Sequence, residues 1–247
     1  MTTMQRTGPK ASGRVRTDPL RRTALVVGWL FVITYVTSIA SKFAFYPPLF
    51  EGDYITGSGA DTQLRWGALS ELVLIVANIG TAVALFSVLR RQNQNLAIGF
   101  VAARVMESVF IAVGILSVLT VVTVREDHAG AGDAGSAVLT PVGDALVALQ
   151  EWTFVLGPGF VVGIGNGLIL GYLMYRSGLV PRGMAMLGLV GGPLLCISGA
   201  AVVLGVIEAG SMWQNVATVP EFFWELSLGV YLIVKGFRPS PITAGMD

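Results

Sequence analysis

The chain has 247 residues, of which 53% are hydrophobic and 13% charged, with a formal net charge of +1. Soluble domains carry about 25% charged residues, so this composition excludes an ordinary soluble enzyme and identifies an integral membrane protein. Near-neutral charge argues against nucleic acid as a partner, one cysteine (Cys196) excludes an intrachain disulfide, and one histidine (His128) leaves too few ligands for intramembrane zinc, so no metal or cofactor is expected.

Residues 1–22 are polar and basic, with Arg6, Lys10, Arg14, Arg16, Arg21 and Arg22, and read as a disordered cytoplasmic tail. The first apolar run, about 23–45, is too long for a signal-peptide core and reads as a retained anchor. Five more runs of spanning length follow, about 68–89, 96–124, 142–175, 183–207 and 216–237. The third and fourth exceed the need of one crossing, so they should tilt or project. Pro158 and Pro193 fall inside spans and should kink them. The stretch from Arg125 to Pro141, rich in Gly, Ala and Asp, reads as a mobile linker. The domain reading is therefore a tail over 1–22, a six-helix all-α transmembrane domain over 23–238 and a short cytoplasmic tail over 239–247.

Lys and Arg in the short loops set orientation. Twelve lie on one side: the six of the tail, then Arg90, Arg91, Arg176, Arg182, Lys235 and Arg238. The other side has Lys42, Arg65 and Arg125. Both termini are thus expected in the cytoplasm.

Arg104 and Glu107 stand in the middle of the third run, three residues apart and so on one helical face. A charge near the bilayer centre costs at least about 3 kcal/mol, so such residues persist when paired, hydrated or in use. Glu71 and Asn78 share a face two turns apart, Asp144 and Glu151 repeat that spacing, and Glu221 and Glu225 are one turn apart beside Trp224. The polar candidates are therefore Glu71, Asn78, Arg104, Glu107, Glu151, Glu221 and Glu225. Five buried charges at that cost would total on the order of 15 kcal/mol, more than a typical folding free energy. They cannot face lipid: they pair with Arg104, are protonated or meet water, and their faces can converge on a polar cavity open to the exterior, with Glu225 within reach of Arg104 or another span's polar group and Glu221 nearer the outer water.

Three readings stay open. The first is an ion-paired clamp centred on Arg104, in a structural or accessory membrane protein. The second is a small transporter or ligand-binding protein, whose excess of carboxylates suits a cation or proton. The third is an intramembrane enzyme acting on a lipid or isoprenoid. No hydrolase elbow, zinc-protease, phosphate-loop or CxxC motif is present, so the residues lean away from catalysis. Gly159, Gly163, Gly167 and Gly171, spaced by four, let a neighbouring helix approach, either within the bundle or across a homo-oligomer seam. The expected partners are the lipid bilayer and a small-molecule or cation ligand.

Three segments carry a family resemblance: Ala103-Arg-Val-Met-Glu107, Tyr172-Leu-Met-Tyr-Arg-Ser-Gly-Leu-Val-Pro-Arg182, and Trp224-Glu-Leu-Ser-Leu-Gly229 running to Lys235-Gly-Phe237. With Glu71, they make residues 23–237 resemble the family called domain of unknown function 4386. The resemblance implies a polytopic membrane protein of the bacterial inner membrane. It brings no activity with it, and it covers neither the basic tail nor the Gly/Asp-rich linker.

Overall fold

The computed structural model describes residues 19–50, Tyr54, residues 59–127 and residues 132–244, with the backbone alone over 132–138. Most of the basic tail, His128 and the last three residues lie outside the described residues. Six helices are long and apolar enough to cross a membrane: α1 (Pro19–Phe45), α2 (Asp61–Leu89), α3 (Gln94–Asp127), α4 (Leu139–Ser177), α5 (Arg182–Val203) and α6 (Met212–Val234). Among the described residues there is no strand. In hydrocarbon a backbone must satisfy its own polar groups, and helices do so without a partner.

Four local features add to the sequence reading. The first helix starts at Pro19, inside the expected tail, because proline's fixed φ and missing N–H suit a first helical position. The expected linker is helical from Gly132, so it does not extend to Pro141. The final segment is also ordered as far as Ala244. Ser240 Oγ donates to the Ser177 carbonyl at 2.7 Å, and Arg91 Nη1 donates to the Ala244 carbonyl at 3.3 Å. The fourth is in α4, where Pro158 was expected to disturb the helix. Around Pro158 it is π-helical over Val155–Val161 and again over Gly163–Leu170. Proline donates no hydrogen bond and its ring crowds the carbonyl four residues back, and a wider turn relieves that crowding. Pro193, by contrast, sits in a helix whose α pattern runs unbroken from Arg182 to Val203.

Each span packs on its neighbours in the chain, and α6 returns to α1, so the six helices close into a ring. Glycine brings two seams together. Gly28 of α1 faces Gly229 of α6, where a Cβ would stand 2.8 Å from the Gly229 carbonyl oxygen. On α5, Gly192 meets the backbone of Gly163 and Gly167 in α4, while Gly188 seats the Trp224 ring and Gly191 the backbone of Glu221, both of α6. The four-spaced glycines of α4 therefore pack inside the bundle, through Gly163, Gly167 and Gly171.

An even number of crossings puts both ends of the chain on one face, called here the terminal face. In that half, side chains from all six helices form one buried apolar cluster, including Phe31, Leu85, Phe100, Leu173, Ala185 and Leu228. This is a plug. On the far face α3 outruns the bilayer core: 34 residues reach roughly 50 Å. The excess projects beside α2, where Arg65 pairs with Glu126 at 2.5 Å and Arg125 pairs with Asp61. Tyr54 donates to Asp61 at 2.5 Å, and burial together with that carboxylate pushes the Tyr54 phenol above its usual pKa.

At the terminal face Arg21 donates to the carbonyls of Leu232 and Ile233, at 3.0 and 2.6 Å. Both are last-turn carbonyls of α6, the Leu232 oxygen shared with the Gly236 N–H at 3.1 Å, and a cation suits that end of the dipole. Arg21→Met should lower stability by about 1 kcal/mol in a detergent unfolding titration. Arg176→Met, at an exposed position, is the control and should change it by a few tenths at most.

Candidate functional site

Directly above the plug, four helices bring polar side chains to one level. Asn78 is eleven residues from the terminal end of α2, Arg104 ten from that of α3, Asn166 eleven from that of α4 and Glu225 nine from that of α6. At about 1.5 Å per residue, each lies roughly 14–17 Å deep, near the middle of a hydrocarbon layer about 30 Å thick.

Arg104 is the centre of this layer and is 2% exposed. Its Nη1 donates to Glu107 Oε2 at 2.8 Å and stands 4.0 Å from Glu225 Oε1, and its Nη2 donates to Asn78 Oδ1. Asn78 Nδ2 then donates to Glu107 Oε1 at 3.0 Å, closing a triangle across α2 and α3. On the other side Asn166 Nδ2 donates to Glu225 Oε1, and Trp224 Nε1 donates to the Asn166 carbonyl at 3.0 Å. The Phe31 ring, 5.9 Å from the guanidinium carbon, is the part of the plug that meets the layer. Arg104 therefore has an acid of its own helix as its close partner, while its firm bond to another helix is to Asn78.

Glu221 differs from its neighbours. Both its carboxylate oxygens are buried without a hydrogen-bond partner among the described residues. The expectation that Glu221 lies nearer water than Glu225 is reversed in burial: Glu221 is 2% exposed and the Glu225 side chain 21%. The cause is the α5 seam, where Gly191 lets the Glu221 backbone sink against α5.

These groups line a cavity of about 420 Å³ toward the far face, walled by Thr34, Tyr35, Ser38 and Lys42 of α1 and by Asn215, Thr218, Glu221 and Glu225 of α6. A second cavity of about 290 Å³ adjoins it and shares Ser38, Lys42, Phe154, Pro158, Asn215 and Thr218. Glu71 and Glu151 belong to this second chamber, not to the Arg104 cluster. The Tyr46 hydroxyl donates to Glu71 at 2.8 Å, whereas Glu151 is exposed. Asp144 is exposed as well. The seven polar candidates thus divide into an inner layer of Asn78, Arg104, Glu107, Glu221 and Glu225 and an outer pair.

Lys42 is the residue that sequence reasoning left out. Its ammonium lies 4.1 Å from the centroid of the Phe154 ring, where the two chambers meet. A signal for it exists: Thr34, Tyr35, Ser38 and Lys42 recur at three- and four-residue steps, a polar stripe along an otherwise apolar helix. In the inner layer three carboxylates, those of Glu107, Glu221 and Glu225, face one guanidinium. That imbalance suits a cation or proton over an anion.

The model of one protein family, a domain of unknown function (DUF4386), matches residues 26–236. The chain belongs to this family. No curated protein and no solved structure matches it. Membership of DUF4386 agrees with the multi-pass helical membrane architecture and names no activity. The match runs from α1 to the end of α6, so both chambers and the Arg104 layer fall within the DUF4386 segment.

Proposed function

We propose that the protein binds a small organic cation in an acidic intramembrane cavity that faces outward, acting as a small transporter or a ligand-binding protein of the bacterial cytoplasmic membrane. The positive charge of the terminal face supports this orientation, with both termini in the cytoplasm. The plug then closes the cytoplasmic side, and the cavity lies on the extracytoplasmic side of the bilayer midplane.

Glu221 carries the reading. A buried carboxylate with neither oxygen bonded is costly, and a merely structural clamp has no use for it. It faces the cavity beside Glu225, whose side chain is reachable from that space. Arg104 is already held by Glu107 and Asn78, so it leaves these two acids largely uncompensated.

Matched organic cations and anions, added to the purified protein at constant ionic strength, provide the test. A cation at one hundred times its Kd should stabilise the fold by about 2.7 kcal/mol, readable as a rise in Tm. Glu225→Gln should remove that rise while leaving the unliganded Tm close to wild type, because a glutamine oxygen still accepts from Asn166. Stabilisation by anions alone would overturn the proposal.

A further inference from the structure

We infer that the ligand is a single-chain amphipathic cation that reaches the inner cavity from the bilayer, through a gap between α1 and α6, and leaves its apolar tail in that gap. The inference rests on the cation reading above and adds both the route and the ligand class. Its first support is that several residues lining the cavity also face the lipid. Ile39 and Phe43 of α1 and Val219 and Phe222 of α6 line it, and they are 37%, 70%, 47% and 40% exposed. Val219 and Phe222 lie roughly 18–23 Å from the terminal end of α6, within a hydrocarbon layer about 30 Å thick, and Ile39 stands at the far edge of that layer. The exposed flanks of these residues bring the rim of the cavity to the outer surface of the bundle between α1 and α6.

The second support is the division of polarity around the cavity. The acids stand at its inner end, and the rim between α1 and α6 is apolar and aromatic. Tyr35 and Phe222 meet across that rim with ring centroids 4.6 Å apart, forming its lower sill. A headgroup drawn to Glu221 and Glu225 must therefore leave any attached chain beside Ile39 and Val219.

Binding of tetramethylammonium and of decyltrimethylammonium to the full chain in phosphatidylcholine nanodiscs tests the inference, with uptake by protein-free discs subtracted. Each buried methylene should strengthen binding about fourfold until the chain fills the gap. The paired change Ile39→Trp with Val219→Trp fills the gap from both sides. It should weaken decyltrimethylammonium at least tenfold and change tetramethylammonium less than twofold, whereas Glu221→Gln with Glu225→Gln should weaken both. Retention of the tetramethylammonium response shows that the filled variant is folded. Equal affinity for the two probes, or unchanged decyl binding in the filled variant, would overturn lateral loading while leaving the cation site standing. Absence of binding by either probe to wild type would overturn the cation reading and this inference together.

Discussion

Arg104→Leu should lower the unfolding free energy by roughly 3–5 kcal/mol, the cost expected when one member of a buried ion pair is removed. Leucine approximates the apolar part of the side chain but leaves the Glu107 carboxyl buried, 5% exposed, and bonded only by the Asn78 amide. It also removes the nearest positive charge from Glu225. The partner can be told by rescue. Glu107 is bonded at 2.8 Å and Glu225 lies at 4.0 Å, so Arg104→Leu with Glu107→Gln should recover more stability than Arg104→Leu with Glu225→Gln. Unfolding titrations of the four variants check this, and equal recovery from both would show that the charge is shared across the layer.

The other large effect is expected at Gly192. A Cβ there would stand 2.5 Å from the Gly163 carbonyl oxygen and 2.8 Å from the Leu168 nitrogen. Both are backbone atoms, so no change of rotamer relieves the clash and α4 must move off α5. Gly192→Ala should therefore cost about 3 kcal/mol, at the upper end for overpacking. It should also disturb the cavity, since Glu221 is seated on the adjacent Gly191. Gly183→Ala, on the same helix with nothing within 4 Å of its Cβ position, should stay within about 1 kcal/mol of wild type. Thermal unfolding of the two variants side by side separates the contribution of the seam from a general intolerance of alanine.

The six spans were legible because length and hydropathy alone identify a helix that crosses a bilayer, and each apolar run became one. Arg104, Glu107 and Asn78 were legible for a related reason: polar groups deep in apolar helices must find one another. The grouping of the remaining acids was not. Spacing of seven puts Asp144 and Glu151 on one face of the α-helical start of α4, and both are exposed. That count gives a shared face but not the neighbours it meets, and Glu151 lines the second chamber. The sinking of Glu221 depends on Gly191 and Gly167, which are distant in sequence and meet it only once α4, α5 and α6 are assembled. Lys42 was missed for a different reason. Near the end of a span a lysine reads as an interfacial anchor, and only the polar stripe beneath it marks its second use.

The proposed orientation, with the acidic mid-bilayer cavity facing outward and the plug toward the cytoplasm, predicts which reagents reach the cavity. Thr34 lines the inner cavity, one turn beyond the Phe31 ring that roofs the plug. A cysteine placed there in a Cys196→Ser background can be challenged in intact cells with membrane-impermeant thiosulfonates of opposite charge. The cationic reagent should label Thr34→Cys from outside at least tenfold faster than the anionic one, and exchange of Glu221 and Glu225 for glutamine should erase most of that ratio. Faster labelling by the anion, or labelling only from the cytoplasmic side of inverted membranes, would contradict the account.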